Sequence, residues 1–353
     1  MRPRVFITQP VHASAIEHLK SVADVEWNRD ALHILSKDEL KAAVRECDVL
    51  FCLLHDRVDA DVVAANPKLR AIASTTVTPA DIDIPAASAR RIPVTVIPAA
   101  LLDEATADLA WGLLFSVARR VAEGDRLMRS GTFPGSQSAY MEGGGVSGKT
   151  LGLVGMGGVG RATAERARGF SMRVLYFDPQ RLAPEEESAL GITWLPLERL
   201  LAESDFVSLH ARLTLETRHL IGERELGLMK RSAYLVNSAR GPLVDEEALV
   251  RALSEGRIAG AGLDVFEHEP RPHPQLLTMQ NVVVTPHVGS AVTELRATMA
   301  GVAVDNIMAV LEGRQPPNCW NPEIYSATSR RVLSVGTAGV EGRLAPGRST
   351  NQT

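Results

Sequence analysis

The sequence predicts an α/β protein of two parallel-sheet domains, each Rossmann-like or flavodoxin-like. Three observations predict it. The chain has 353 residues, which suggests two domains rather than one. Short apolar runs of strand length alternate with helix-forming stretches, the pattern of parallel βαβ units. A glycine run, Gly155-Met156-Gly157-Gly158-Val159-Gly160, stands between one such strand and one such helix. A hydrophobic content of 45% is ample for real cores.

The first strand is read at Val5–Thr8 and the first helix at Ala13–Val22. Strands follow at Asp48–Leu54, which runs into His55, at Leu69–Ser74 and at Val94–Ile97. Asp103–Arg120 reads as a long helix whose first-turn acids suit the helix dipole. Its middle is apolar all round, which places it in the interior, between domains. Residues 130–145 are Gly/Ser-rich and read as an irregular arm. Beyond the glycine run, strands are expected at Arg173–Phe177, Phe206–Leu209, Ala233–Asn237, Gly260–Leu263 and Asn281–Val284. A helix over Glu246–Glu255 is closed by Gly256, and a last long helix covers Val292–Leu311. From 326 to 353 the chain is Ser/Thr/Gly/Arg-rich without periodicity, the composition of a flexible tail.

The glycine run sits in the context a dinucleotide-binding turn requires. The strand Leu151–Val154 precedes it and a run of helix formers from Arg161 follows. Gly155 would make the tight turn, Gly157 would admit a pyrophosphate, and Gly160 would let helix pack on strand. The helix N-terminus offers N–H groups and partial positive charge to the phosphates. The next strand ends at Asp178, placed to bind the adenosine ribose hydroxyls. A second pattern is a coincidence of composition. Gly143–Thr150 satisfies GxxxxGK[ST], but an irregular arm precedes it and a strand follows, the reverse of a triphosphate loop.

A net charge of -4 gives no electrostatic case for nucleic-acid or membrane binding. No apolar stretch approaches the roughly 20 residues of a membrane span, and the short apolar part of the N-terminus is no signal peptide. Cys47, Cys52 and Cys319 lack both the number for a disulfide framework and the spacing of a zinc site, so a reducing, cytoplasmic setting is expected. His268 and His273 flank a Pro-containing loop with no third ligand, and no metal is expected.

In open parallel sheets ligands bind beyond the carboxyl ends of the strands. That rule selects His55, Asp178, His210, Ser238-Ala239-Arg240, Asp264 and Thr285-Pro286-His287. Converting between an alcohol and a ketone moves a hydride, which a nicotinamide can carry, and a proton, which a histidine can carry. A carboxylate beside that histidine fixes its tautomer, and an arginine holds a small anion bidentately. Arg240 and His287 suit these roles, and the acid comes from the loop Glu267-His268-Glu269, with two glutamates in competition.

Several segments in one order resemble the D-isomer-specific 2-hydroxyacid dehydrogenases: Leu151–Gly160, Ser208-Leu209-His210, Glu216–Ile221, Asn237–Glu246, Leu263–Glu267 and Val284–Ser290. The resemblance reaches to about residue 325. It implies an NAD-dependent oxidoreductase moving a hydride between nicotinamide and a small 2-hydroxyacid or 2-ketoacid. Arg240, Glu269 and His287 would be catalytic. Thr106, Gly155, Gly157, Gly158, Val159, Gly160, Asp178, His210, Ala211, Arg212, Ser238, Ala239 and Asp264 would bind NAD, with Asp264 on the carboxamide. His55, Val77 and Thr78, with Arg240, would meet the substrate anion. The family fold puts residues 1–103 and 296–325 in a substrate domain and 104–295 in the NAD-binding Rossmann domain, with the active site in the cleft between them. Family members are usually homodimers, and the 130–145 arm lies where they dimerise.

Two departures stand out. The family's VGxDxID segment reads Val77-Thr78-Pro79-Ala80-Asp81-Ile82-Asp83, so Thr78 replaces a glycine and Pro79 removes a donor. The usual HxPLT reads His210-Ala211-Arg212-Leu213-Thr214, with an arginine near the expected adenine. Arg212 or Arg181 could reach a 2′-phosphate, whereas Asp178 would repel it, so NADP is the less favoured cofactor. Residues 55–61 and 287–292 resemble the phosphite dehydrogenase branch, although Val77 stands where that enzyme has a lysine. The resemblance thus leaves two alternatives: a dehydrogenase of a phosphorus oxyanion or phosphonate-bearing substrate, and a dinucleotide-sensing scaffold like the family's C-terminal-binding-protein corepressors.

Overall fold

The computed structural model describes residues 2–79 and 81–326. The expected tail at 326–353 lies, but for Ser326, outside the described residues. The chain divides into two units, Met1–Pro98 together with the chain from Ala297, and Ala99–Arg296.

In the first unit the order is β1 (Arg4–Ile7), α1 (Ala13–Val22), β2 (Asp24–Trp27), α2 (Lys37–Glu46), β3 (Val49–Cys52), α3 (Ala60–Ala64), β4 (Ala71–Ser74), α4 (Ile84–Ala89) and β5 (Val94–Thr95). Among the described residues these strands form one five-stranded sheet, β2-β1-β3-β4-β5, with every pairing parallel. This is the flavodoxin-like order, which reverses between β1 and β3. Both faces are covered, so β3 and β4 are buried throughout and read as continuous apolar runs. Helix α2 escaped the sequence reading because it is short and polar, with only Leu40 and Val44 buried, one turn apart. A capping box between Ser36 and Glu39 starts it, a device that contributes on the order of 1 kcal/mol. Edge strand β2 escaped too, since its residues alternate charged and apolar with none fully buried.

The second unit holds α5 (Asp103–Ala118), α6 (Val121–Arg129), β6 (Thr150–Val154), α7 (Gly158–Ala167), β7 (Arg173–Phe177), α8 (Pro184–Leu190), β8 (Ile192–Trp194), α9 (Leu197–Glu203), β9 (Phe206–Leu209), α10 (Glu223–Leu228), β10 (Tyr234–Asn237), α11 (Glu246–Ser254), β11 (Gly260–Leu263) and β12 (Val282–Val284). Its strands form a seven-stranded parallel sheet, β12-β11-β10-β9-β6-β7-β8, the Rossmann order with one added edge strand. The order reverses between β6 and β9. Thr150 opens a strand, so the GxxxxGK[ST] match leads into β6 and not into a helix.

The expected helix from Asp103 to Arg120 stops at Ala118. Arg120 turns the chain in the left-handed region (φ 53°) and α6 begins at Val121. Helix α5 owes its burial to the sheet of its own unit. It lies so close to β11 that a Cβ on Gly262 would come within 3.0 Å of Leu113 Cβ, and one on Gly260 within 2.9 Å of Val117 Cγ2. The last helix, α12 (Thr293–Leu311), places Ala300, Ala303, Val304, Ile307 and Val310 in the first unit's core with Val5, Ile7, Leu19 and Phe51.

Candidate active site

The glycine turn follows β6 at the point where the strand order reverses. Gly155 has φ 97°, and a Cβ there would lie 2.5 Å from Ala211 N and 2.6 Å from His210 C. Only glycine meets both demands, so the turn and the β9 loop are built against each other. A Cβ on Gly160 would strike the Gly155 carbonyl oxygen, which is the close helix–strand approach expected of the third glycine. Gly157 differs from both. It has the extended backbone of an N-cap, and nothing lies within 4 Å of where its Cβ would be. This open face, at a helix start with no side-chain cap, is the cradle a pyrophosphate needs.

Asp178, at the end of β7, accepts from Met156 N (2.9 Å) and Gln180 N (3.0 Å), which ties the acid to the glycine turn. Arg181 is held by Glu187 (2.8 Å), which also accepts from Tyr176 Oη (2.7 Å). Arg212 is exposed. Two buried polar atoms at the ends of adjacent strands have no hydrogen-bond partner: His210 Nδ1 after β9 and Ser238 Oγ after β10. Orphaned buried polar atoms are rare and point to a missing ligand or water. Burial pushes the His210 imidazole down to about 4. Together with the open Gly157 face, these orphans fit a bound dinucleotide.

The β11 and β12 ends build the second half of the site. Asp264 is buried and accepts from Thr285 Oγ1 (2.6 Å), Val288 N (2.8 Å) and Gly289 N (2.9 Å). Burial nevertheless raises its carboxyl above the usual range. The Asp264 carbonyl accepts from His287 N (2.9 Å), and His287 adopts φ 53°, so the β12 loop folds back along β11 and aims its histidine. Thr106 stands beside this loop, 3.6 Å from where a Gly289 Cβ would be.

His287 Nδ1 meets Glu269 Oε2 at 2.8 Å, and Glu269 Oε1 accepts from Phe266 N at 3.1 Å. The rival acid is spoken for. Glu267 pairs with His219 (2.6 Å) and Arg218 (2.7 Å). Burial raises its carboxyl, but His219, the Glu246 N–H and Arg218 outweigh burial and hold it below its ordinary value. Arg240 is partly buried beside Glu269; burial lowers its pKa and that carboxylate opposes the shift. It donates to the Ala239 carbonyl (2.7 Å), and Asn237 braces its loop through Arg240 O (3.0 Å) and Ala239 N (3.1 Å). Gly241 is packed on the Phe266 carbonyl, where any Cβ would collide. The loops carrying Arg240 and Glu269 are therefore in direct contact.

Arg240, Glu269 and His287 are thus gathered in the unit that carries the glycine turn. His55, Val77 and Thr78 belong to the first unit, after β3 and β4; His55 and Thr78 are exposed and Val77 is half-buried. Two residues of the second unit were not singled out from the sequence. Asp103 sets its carboxylate against Gly158 at the start of α7, and burial and then Glu104 raise its pKa. Glu246 is a buried acid, and its place in the Asn237–Glu246 segment was the available signal.

Residues 111–289 match the model of the D-isomer specific 2-hydroxyacid dehydrogenase family, NAD binding domain. The chain is 46% identical over 327 residues to a glyoxylate reductase of Korarchaeum cryptofilum, covering 92% of this chain and 97% of that one. A solved structure from Thermus thermophilus is similar with a TM-score of 0.82 at 45% identity, covering 90% of this chain and 99% of its own. A solved NADPH-dependent glyoxylate/hydroxypyruvate reductase of Sinorhizobium meliloti, in complex with NADP and malonate, is similar with a TM-score of 0.75 at 29% identity, covering 90% and 97%.

Proposed function

The chain belongs to the D-isomer-specific 2-hydroxyacid dehydrogenases, and from that premise we propose that it reduces a small 2-ketoacid of the glyoxylate and hydroxypyruvate class. It is an NAD-dependent oxidoreductase acting on the CH–OH group of a hydroxyacid or on the matching ketoacid. The observation that carries the catalytic assignment is the 2.8 Å Glu269–His287 pair in the unit that holds the glycine turn.

When bound, NADH would supply the hydride. Arg240 holds the substrate carboxylate and polarises the carbonyl; its rigid fork, kept charged despite burial, suits a planar anion. With Nδ1 engaged by Glu269, proton transfer falls to His287 Nε2, which protonates the nascent alkoxide oxygen. Glu269 keeps the ring in that tautomer and stabilises its charged form. Asp264, held by three donors, would orient the carboxamide of the cofactor, and His210, Ala211, Ser238, Ala239, Thr106 and Val159 would line the rest. The Asp178 carboxylate favours NAD over NADP, and Arg181, committed to Glu187, offers a 2′-phosphate little. His55, Val77 and Thr78 recognise the substrate anion from the ends of β3 and β4.

We further assign residues 1–103 with 296–325 to substrate binding and 104–295 to the cofactor. The chain works as a cytoplasmic homodimer. Three unpaired thiols among the described residues support a reducing setting. No helix of the described residues is long and apolar enough to cross a membrane. Helix α6 has no buried residue and exposes Val121 and Met128, and the following arm exposes Phe133, an apolar face that a second copy would cover. Light scattering of the purified protein reads the dimer directly.

The relatives favour ketoacid chemistry over the phosphorus-oxyanion and scaffold alternatives. The test follows NADH absorbance with glyoxylate, hydroxypyruvate and pyruvate, and NAD reduction with phosphite in parallel. Turnover of a ketoacid is expected. Measurable NADH binding with no ketoacid turnover would sink the proposal, and phosphite oxidation would replace it.

A further inference from the structure

The loop that delivers Glu269 is fastened at both ends by one buried side chain. Glu246, the first residue of α11, is 7% exposed. Its Oε1 accepts from Glu267 N at 2.5 Å and its Oε2 from His273 N at 3.0 Å. Glu269 lies between those two anchor points. The grip is reciprocal, since Glu246 N donates to Glu267 Oε2 at 3.4 Å. Helix capping does not account for Glu246, because Asp245 is the N-cap and accepts from Ala248 N at 2.9 Å. Nor does an ion pair: the basic side chains of this cluster, Arg218 and His219, go to Glu267, and His273 Nε2 goes to Glu247. A carboxylate out of water whose two oxygens each take a loop N–H is a clamp on that loop.

The clamp matters because of what the loop must hold. Inside it, Phe266 N tethers the Glu269 carboxylate, and the contact with His287 Nδ1 depends on where residues 267–273 lie. Each end released costs a hydrogen bond to a carboxylate and leaves a half-buried donor to find another partner. A carboxylate displaced by about 1 Å no longer orients the ring, and displacements of that size can cost on the order of 100-fold in rate. Resting on the acid–base reading of Glu269 and His287, we propose that Glu246 is a positioning residue for proton transfer, acting through the 267–273 loop and through Glu269.

The discriminating variant is Glu246→Gln, whose amide oxygen can hold one loop N–H while its NH2 group opposes the other. Four measurements are made on the full chain. Turnover with the ketoacid falls, kcat by about 10- to 100-fold, with KM and NADH affinity within about twofold of wild type. The E246Q/E269Q double variant is no slower than E269Q, because a residue acting through Glu269 is silent once Glu269 is gone. The pH profile of kcat moves in the direction seen for E269Q. Amide hydrogen exchange across 266–273 speeds up. Should E246Q melt below the assay temperature, Glu246→Asp, which keeps the charge but is one methylene short, carries the same measurements. A loss that multiplies that of E269Q, or unchanged exchange in the loop, overturns the clamp. Absence of turnover in the wild-type protein defeats the proposed function instead, and hydrogen exchange then still decides whether Glu246 holds the loop.

Discussion

The two sheets obey one topological rule and fill its consequence differently. Each reverses its strand order once, between β1 and β3 in the five-stranded sheet and between β6 and β9 in the seven-stranded one. A crevice is expected at each reversal. At the first, side chains fill it. Thr8 Oγ1 donates to Asp56 Oδ2, Leu53 N donates to the same oxygen at 2.7 Å, and both side chains are buried, although the other oxygen, Asp56 Oδ1, has no hydrogen-bond partner. At the second, glycine lines it, the Gly157 face is open, and His210 Nδ1 and Ser238 Oγ wait without partners. Topology therefore nominates a place, and the side chains decide whether a ligand can enter it. The family's cofactor domain coincides with the crevice that glycine leaves open.

The largest effect expected is on the chemistry mounted around that open crevice. His287→Asn should lower kcat by about 1000-fold, within the range typical of losing a general acid, while NADH binding by fluorescence stays within about twofold. A variant retaining more than about a tenth of wild-type kcat would remove His287 from proton transfer. The next effect is on the crevice itself. Gly155→Val forces a branched side chain into the left-handed region and onto the backbone of His210 and Ala211. NADH affinity should fall at least about 100-fold, read by the same titration. Tight NADH binding by that variant would break the claim that glycine keeps this crevice open.

The sequence carried the open crevice more legibly than the closed one. Glycines at fixed spacing announce a turn, and strand ends announce His210, Asp264 and His287, because buried parallel strands are unbroken apolar runs with abrupt ends. Helix α1 and strands β7, β9 and β11 were read with the bounds the structure shows. Edge strands β2 and β8 and the short amphipathic α2 were not, because each offers only a few apolar residues over a short length. Spacing and composition alone leave the choice between Glu267 and Glu269 open, and the family resemblance points to Glu269. Both lie in one turn-rich loop, and only tertiary placement sends one to Arg218 and His219 and the other to His287. The Thr8–Asp56 contact spans 48 residues and left no local signature.

That contact offers the third test. Thr8→Val removes the hydroxyl donor and leaves Asp56 with the Leu53 N–H alone. The loss should be about 1–3 kcal/mol, the cost of undoing a buried hydrogen bond to a carboxylate, read by denaturant unfolding. A neutral result would mean that water replaces the hydroxyl and that this crevice is not closed by it. Asp56 also titrates in a telling direction. Burial raises its carboxyl above the ordinary value, with Leu53, Thr8 and His55 opposing the shift. Its contribution to stability is then present below the unfolded value of roughly 3.9 and is lost as pH rises through the folded value. Asp56→Asn, which stays neutral, should therefore gain on wild type in Tm between pH 4 and pH 7. A gap that shrinks over that interval would show the carboxylate to be at ease in its site.

His210 in the open crevice should titrate with the opposite slope. Its folded value of about 4 lies below the roughly 6.5 of an unfolded histidine. Between those values the unfolded chain binds a proton that the folded chain refuses, so stability falls as pH falls from about 6.5 to about 4 and is level above that window. His210→Gln cannot titrate, and its Tm should drop less than wild type's between pH 7 and pH 4.5, by several degrees, the order expected for about 2 kcal/mol. NADH sharpens the experiment. If the cofactor covers this crevice and partners the buried imidazole, saturating NADH at pH 7 raises the wild-type Tm by mass action, and the increment is smaller in His210→Gln, which loses the ring nitrogen at Nδ1. An equal increment in both proteins would place the cofactor elsewhere than on His210, and the unpaired nitrogen would then belong to a buried water.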